Sequence, residues 1–369
     1  MEKLKICLVS LTIAPDSQDG AGKSFRGIFD YLKEQGHNVK LITGKWNIEL
    51  NDPDIIQFDL LTKRFLWVPQ FMIKAIKYIR SHNFDIFHGN APKGTLPLIL
   101  SNKKRFITTI HDLGPFETSF SKIPLEKLLT KFVIRKASIV TTVSDFVKKE
   151  IKYFIPKVGV NKIHTHYNGI EKNFKPYPKK ALALKNKLNL DGPIILYIGR
   201  IAFYKGVDNI ITAYKIAKEK IYNLNLVIGG KPDFQMKKIY EEWKVHYKNI
   251  HFVGFIDDKE LPYYYSMGDI FITYSYASEG FGLTPIEAIA CGTPVICSTM
   301  TAYKEILQNN AIFVPPRNPQ QLANKIVSLL EDDSKRKNLI QNAQKFIKRY
   351  TWDSVGKKLE KIYYNFLNQ

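Results

Sequence analysis

Short apolar runs alternate with helix-patterned segments along the whole chain of 369 residues, and this alternation constrains the fold more than any other feature. Many of the runs are apolar without a break, which is typical of parallel strands that helices cover on both faces. Strands separated by helices build a doubly wound sheet, and we therefore predict an α/β fold. The predicted strands lie near residues 4–11, 38–43, 54–60, 85–89, 106–110, 138–143, 163–167, 194–198, 225–229, 250–255, 269–274, 294–297 and 312–314.

The length of the chain predicts two domains, because one hydrophobic core rarely grows beyond about 250–300 residues. A lysine-rich polar stretch with Pro176 and Pro178 interrupts the alternation, and we interpret it as a linker. The last segment has apolar side chains at helical spacing, so its inner face should pack against a domain. We place the first domain at residues 1–172, the linker at 173–192, the second domain at 193–352 and the closing helix at 353–369.

The net charge of the chain is unusual, whereas its composition is ordinary. Hydrophobic residues make up 45% and charged residues 24%, as in soluble globular proteins, but the net charge is +21. The excess is spread over both halves and favours anionic partners such as a nucleotide, a nucleic acid or an acidic membrane surface. A nucleic-acid-binding protein is therefore one alternative, although no recognisable RNA- or DNA-binding module supports it.

Cysteine usage and apolar segments bear on the compartment. The three cysteines have no metal-type spacing, and such sparse usage suits a reducing cytosol. No apolar run reaches about 18 residues, so we predict no transmembrane helix. The segment 64–80 has a helical pattern, and two interpretations stay open: it covers a sheet, or its apolar face enters an anionic membrane interface. We expect a cytoplasmic protein and keep peripheral membrane contact as a hypothesis.

One loop, residues 278–288, has the features of an anion site. It follows a predicted strand, and we interpret Thr284, Pro285 and Glu287 as the N-cap, N1 and N3 positions of a capping box that opens a short helix. Two glycines just before this start let backbone N–H groups approach a bound group, and a helix start attracts phosphates. The loop therefore predicts a site for a phosphorylated ligand, which Glu279 and Glu287 frame.

Two cations and a histidine follow other predicted strands. Arg200 offers a planar fork that suits a diphosphate, and Lys205 adds a point charge. At the carboxyl end of a strand both would face the same anion. His111 also follows a strand, where an open α/β sheet binds ligands, although a lone histidine is more often structural. We interpret Asp52-Pro53-Asp54 as a turn, and we expect no metal site.

A glycine-containing turn, Gly20-Ala21-Gly22-Lys23-Ser24, follows the first strand. The letters invite a P-loop interpretation, but the first glycine of that motif would fall at position 17, which is Ser17. Two interpretations stay open: a tight strand-to-helix turn, or a glycine loop near an acceptor or a diphosphate.

Together these residues resemble family 4 of the retaining glycosyltransferases. The most specific piece is the Glu-x7-Glu element from Glu279 to Glu287, followed by Cys291-Gly292-Thr293-Pro294. Gly199-Arg200 with Lys205-Gly206, His111-Asp112 and Asn168-Gly169 support it. The resemblance implies the GT-B architecture, in which two Rossmann-like domains face each other across a cleft and a C-terminal helix crosses back to the first domain.

The resemblance also implies roles for individual residues. Glu279 would contact the hydroxyls of the donor sugar, Arg200 and Lys205 the leaving diphosphate, and His111 would lie beside the donor sugar and the acceptor. Glu287 would bind the nucleotide ribose. Donor binding is further implied for Gly199, Gly254, Gly280, Phe281, Gly282 and Leu283, and acceptor binding for Gly20, Ala21 and Gly22.

These roles predict a retaining glycosyltransferase that moves a sugar from a nucleotide-diphosphate donor to a glycan or lipid-linked acceptor. Fixed positive charges would stabilise the leaving diphosphate, so we expect neither a metal nor another cofactor. A nucleotide-sugar hydrolase or epimerase, or a glycosyl phosphorylase, is the alternative within the same architecture. We expect no nucleic-acid partner and hypothesise that the basic first domain contacts an anionic membrane.

Overall fold

The computed structural model describes residues 2–17, 19–61, 66–116, 124–277 and 279–368. They form two compact units: one contains the residues up to Gly169 together with those from Tyr350 onward, and the other is Ile170–Arg349. Each unit is built around its own parallel sheet with helices on both faces.

The sheet of the first unit has seven strands among the described residues, all paired in parallel with their neighbours. The strands are β1 Lys5–Val9, β2 Asn38–Lys45, β3 Ile55–Asp59, β4 Ile86–Asn90, β5 Ile107–Ile110, β6 Ile139–Thr142 and β7 Ile163–Thr165. Their order is β3-β2-β1-β4-β5-β6-β7. The order reverses between β1 and β4, and such a switch point is where open α/β sheets bind ligands.

Helices cover this sheet because one face of each is apolar. They are α1 Gly20–Glu34, α2 Trp67–Ser81, α3 Ala91–Leu100, α4 Pro124–Lys136 and α5 Asp145–Phe154. Phe25 and Phe29 of α1 are fully buried, as is Phe71 of α2. Of the predicted segment 64–80, Arg64 and Phe65 lie outside the described residues, and α2 buries one face against the sheet.

The second unit repeats this plan with six strands in the part of the chain that the structure describes, in the order β10-β9-β8-β11-β12-β13. The strands are β8 Ile194–Ile198, β9 Asn225–Gly229, β10 His251–Gly254, β11 Ile270–Thr273, β12 Val295–Ser298 and β13 Ile312–Val314. The helices are α6 Pro178–Lys187, α7 Val207–Lys218, α8 Lys237–His246, α9 Leu261–Met267, α10 Leu283–Ala290, α11 Thr301–Leu307, α12 Pro319–Glu331 and α13 Asp333–Ile347. The switch point lies between β8 and β11.

The last helix, α14 Trp352–Leu367, belongs to the first unit and packs on α1. Tyr31 donates a hydrogen bond of 2.6 Å to Glu360. The indole of Trp352 lies so close to two glycines that a Cβ atom would come within 2.0 Å of the ring at Gly27 and within 2.3 Å at Gly169. The indole therefore fills a slot that only glycines leave open.

The two parallel, doubly wound sheets confirm the predicted α/β class, and each predicted strand overlaps an observed one. The segment predicted as a linker differs, because it contains α6 and belongs to the second unit, which begins at Ile170. Helix α6 is anchored there: Ala181 is buried, and the backbone N–H of Tyr177 donates to Ser266 in α9. The exposed lysines of α6 gave the segment its linker-like composition.

Candidate functional site

The start of α10 differs from the sequence prediction. Ser278 lies outside the described residues. The N-cap is Gly282, with a left-handed backbone (φ +88°), so the helix begins at Leu283. Thr284 and Glu287 are then the second and fifth helical residues, and the predicted capping box is wrong. Glycine makes the earlier start accessible because it adopts a positive φ without steric cost.

Glu279 and Lys205, both predicted to be catalytic, form an ion pair. The Nζ atom of Lys205 donates to Oε1 of Glu279, and the two side chains are only 19% and 9% exposed. The same oxygen accepts a 2.7 Å hydrogen bond from the Oγ atom of Ser275. Lys205 comes from the short 3₁₀ helix after β8 and Glu279 from the loop after β11, so neighbouring strands at the switch point bring the pair together.

Arg200 is exposed directly after β8, and Tyr204 joins it to Lys205. Its guanidinium donates a hydrogen bond to the hydroxyl of Tyr204. The cationic groups of Arg200 and Lys205 lie 5.7 and 5.2 Å from the centre of the Tyr204 ring, within cation–π range. The hydroxyl of Tyr197 donates to the carbonyl of Arg200 at 2.8 Å and fixes the turn. The two predicted diphosphate-binding cations therefore share one aromatic support.

The glycines at the ends of β8, β9 and β10 bring three backbone segments close together. Gly199 donates to the carbonyl of Gly229 at 3.1 Å, and Gly230 donates to that of Gly254 at 2.6 Å. A Cβ atom at Gly230 would lie 1.8 Å from the carbonyl oxygen of Gly199. Beside Gly254, by contrast, no atom lies within 4 Å of the Cβ position. This edge therefore has space next to Gly254, where the resemblance implied donor binding.

Glu287 is buried and bound to a tyrosine. It accepts a 2.9 Å hydrogen bond from the hydroxyl of Tyr265, and burial together with the nearby carboxylate raises the Tyr265 pKa well above its usual range. Gly280 and Phe281 are also buried, whereas Leu283 is partly exposed at the helix start. A role of Glu287 in ribose binding stays a prediction.

In the first unit, His111 and the glycine turn meet at one cavity of about 260 Å³. It lies at the carboxyl ends of β1, β4 and β5, and Ala21, Asp19 and Asn90 line it together with His111. Gly20 and Gly22 do not line it; Gly22 donates from its backbone to the N-cap Asp19 at 2.7 Å. The turn is thus a capped strand-to-helix connection that also places Ala21 beside the predicted catalytic histidine.

Asn90, which the sequence did not single out, holds His111. Its Nδ2 donates to Ser10 at 2.8 Å and to the carbonyl of Ala21 at 3.2 Å. Its Oδ1 therefore accepts, at 2.6 Å, from the Nε2 of His111, which places the imidazole proton on Nε2. Burial lowers the pKa of His111 to about 4, against the opposing charge of Asp19, so the ring is neutral near physiological pH. Polar residues inside strands carry no motif that could have revealed this contact.

Two further titratable side chains, His88 and Asp54, have structural partners. His88 lies inside β4 and is fully buried between Tyr363 and Thr109. Asp54 of the Asp-x-Asp turn is paired with Lys33 and Lys40. Within the described ranges, no group of three or more His, Cys, Asp or Glu side chains could hold a metal ion. Among the described helices, none is both long and apolar enough to cross a membrane.

Two family models cover most of the chain. The model described as "Glycosyl transferases group 1" matches residues 179–346, and that described as "Glycosyltransferase Family 4" matches residues 18–174. An uncharacterized glycosyltransferase of Methanocaldococcus jannaschii is 25% identical over 98% of each chain. O-antigen chain mannosyltransferase B of Escherichia coli is 27% identical over 75% of this chain and 73% of its own.

The fold itself has solved counterparts. The structure of Anabaena HepE in complex with UDP-glucose matches with a TM-score of 0.80 and 18% identity, covering 97% of this chain and 99% of the other. The group 1 model lies within the second unit, which contains the Lys205–Glu279 pair together with α10. The family 4 model covers most of the first unit. The chain therefore belongs to the family 4, group 1 glycosyltransferases of the GT-B type.

Proposed function

We propose that the protein transfers a sugar from a nucleotide-diphosphate donor to a hydroxyl of a glycan or glycolipid, with retention at the anomeric carbon. One observation carries the proposal: Arg200 and Lys205 share the ring of Tyr204, while Lys205 also touches Glu279 at the loop that opens α10. Two cations beside a carboxylate suit a ligand with a diphosphate at one end and sugar hydroxyls at the other. The complex of HepE with UDP-glucose, on the same fold, supports this donor class.

The proposed chemistry follows from the charges. Breaking the sugar–phosphate bond places negative charge on the diphosphate, and groups fixed in advance stabilise it without reorganisation. Arg200, Lys205 and the N-terminal end of α10 supply this positive potential, and on this proposal the reaction needs no metal ion or other cofactor. Donor binding would draw Lys205 toward the diphosphate and leave Glu279 to accept from a sugar hydroxyl.

Acceptor binding is proposed for the cavity of the first unit. His111 is neutral there with its proton on Nε2, so Nδ1 is the nitrogen that can accept from an acceptor hydroxyl. The name of the Escherichia coli relative, an O-antigen chain mannosyltransferase, supports a glycan acceptor. Ala21 would position this acceptor from the glycine turn.

Alanine variants of the two cations test the donor assignment. First, thermal stabilisation by a panel of nucleotide sugars identifies the donor, since a ligand that binds only the folded state raises the melting point. With that donor, Arg200→Ala and Lys205→Ala should each lower turnover by about 10²–10³, the loss seen when one stabilising donor is removed. Lys238→Ala, at an exposed lysine of α8, is the matched control. Unchanged turnover in both cation variants would refute the assignment.

Product analysis separates the alternatives. A transferase needs the acceptor, and NMR of the product should show the anomeric configuration of the donor. Release of free sugar at the same rate without acceptor would identify a hydrolase, an isomerised nucleotide sugar would identify an epimerase, and phosphate as the required acceptor would identify a phosphorylase.

We also propose a cytoplasmic location with peripheral membrane contact through α2. Leu66 and Ile73 are 48% and 68% exposed, and Lys77 lies beside Ile73 on the same helix. The net charge of +21 would attract the chain to an anionic membrane. Flotation with vesicles containing phosphatidylserine should recover the protein at low salt and fail with purely zwitterionic vesicles. Ile73→Asp should reduce the recovery, whereas Val245→Asp, at an exposed site of the second unit, should not. Equal recovery with both vesicle types would contradict the hypothesis.

A further inference from the structure

A chain of hydroxyl groups continues behind the Lys205–Glu279 pair. Ser275 Oγ, which donates to Glu279, lies 3.2 Å from the hydroxyl of Tyr303, and that hydroxyl lies 2.8 Å from Oγ1 of Thr273. The three hydroxyl-bearing residues are buried, and Tyr303 is only 1% exposed. Polar groups placed this deep stabilise the structure only when each one has a partner.

The protons in this chain can be assigned. Ser275 has one hydroxyl proton and gives it to Glu279, so it accepts from Tyr303. Tyr303 then accepts from Thr273. Burial and the charge of Glu279 raise the pKa of Tyr303 well above its usual range, which keeps its hydroxyl protonated. All three bonds therefore point toward the carboxylate, and bonds aligned in one direction strengthen each other.

The ring of Tyr303 has a second contact. A Cβ atom at Gly282 would lie 2.6 Å from Cε1 of this ring. The ring thus occupies the space beside the left-handed residue that starts α10. One side chain consequently touches the turn at Gly282 with its ring and reaches Glu279 through Ser275 with its hydroxyl.

We propose that Tyr303 is a positioning residue that holds Glu279 in place for the donor sugar. The proposal rests on the function proposed above, because it assigns Glu279 to that sugar. Without donor, Glu279 has both Lys205 and Ser275 as partners. When the diphosphate draws Lys205 away, the hydroxyl chain is the support that stays. Tyr303 should therefore affect the chemical step more than the affinity for the nucleotide.

Tyr303→Phe removes the hydroxyl and keeps the ring, so it tests the contact with Ser275 without changing the contact with Gly282. With the donor found by thermal stabilisation, starting from UDP-glucose and GDP-mannose, this variant should lower kcat about tenfold, equivalent to about 1.4 kcal/mol, and leave the affinity for the free nucleoside diphosphate unchanged. Tyr303→Leu also removes the ring contact with Gly282 and should weaken nucleotide binding as well. The matched control is Tyr214→Phe, because the Tyr214 hydroxyl is buried in the same unit and bonds only backbone carbonyls in the described contacts. It should lower the melting temperature and leave kcat unchanged.

A double variant tests the connection through Ser275. Ser275→Ala breaks the chain, so adding Tyr303→Phe should lower kcat no further. Full additivity of the two effects, or an unchanged kcat in Tyr303→Phe while the wild type turns over a nucleotide sugar, would overturn this inference and leave the proposed function intact. If the wild type turns over no nucleotide sugar, the proposed function fails, and the role of Tyr303 fails with it.

Discussion

Buried His88 should make the first unit sensitive to acid. Its two ring nitrogens lie 2.7 Å from the hydroxyls of Tyr363 and Thr109, inside a fully buried strand. Burial lowers the pKa of His88 from 6.5 to about 3. As the pH falls below about 6.5, the unfolded chain therefore takes up a proton that the folded chain refuses until about pH 3. The contribution to stability is complete above pH 6.5 and is lost as the pH falls toward 3.

The size of the loss follows from the gap between the two pKa values. One proton of difference corresponds to a slope of about 1.4 kcal/mol per pH unit. Between about pH 7 and about pH 5, the free energy of unfolding should fall by about 2 kcal/mol through His88 alone. That is a large part of the ~5–15 kcal/mol that stabilises a typical domain.

Urea unfolding at several pH values measures this slope, and tryptophan fluorescence, recorded with Trp243 of the second unit replaced by phenylalanine, follows the first unit, whose core contains Trp352. His88→Gln should be less stable than the wild type at neutral pH. Its free energy of unfolding should, however, depend less steeply on pH, by the equivalent of about one proton. His82→Gln, at an exposed histidine, is the control for the substitution itself. If His88→Gln keeps the wild-type slope, the protonation argument is wrong.

Substitutions at three further positions test the packing. Gly282→Ala should cost about 1–3 kcal/mol of stability, because it strains a left-handed residue and adds a Cβ against the ring of Tyr303; an unchanged urea midpoint would contradict this. Glu287→Gln still accepts from Tyr265 and should change stability by about 1 kcal/mol or less, whereas Glu287→Ala removes the acceptor of that hydroxyl and should cost about 1–3 kcal/mol. If Glu287→Gln were the more destabilising variant, the hydrogen bond would be excluded as the cause. Trp352→Ala should cost about 3–5 kcal/mol by calorimetry, and a loss below about 1 kcal/mol would show that the glycine slot collapses around the smaller side chain.

The sheets could be predicted because many of the buried parallel strands are apolar without a break. Runs such as Ile194–Ile198 have no polar interruption, and the residues after them, including Arg200, were correctly expected at strand ends. The start of α10 could not be predicted in the same way. Thr284 and Glu287 have the spacing of a capping box, but Gly282 takes a left-handed conformation that starts the helix two residues earlier.

Contacts between distant parts of the chain account for most of what the sequence did not reveal. The hydrogen bond that Asn90 accepts from His111 joins the carboxyl ends of neighbouring strands, and that from Tyr303 to Ser275 joins a helix to a loop. Neither Asn90 nor Tyr303 belongs to a spacing pattern, and such bonds depend on register and side-chain direction. Glu279 and Lys205 were predicted separately, each from its own motif, but their ion pair appears only in the folded chain.

The slot that Trp352 fills has a consequence for synthesis on the ribosome. The second unit is one continuous segment, Ile170–Arg349, and can be complete while the chain is still growing. The first unit is completed later, because Trp352 and Tyr363, the partner of His88, are made only after the whole second unit. The usual order, in which the N-terminal unit folds first, is therefore reversed for the final packing of this protein. A stop codon just before α14 would leave the second unit whole and damage the unit that was translated first.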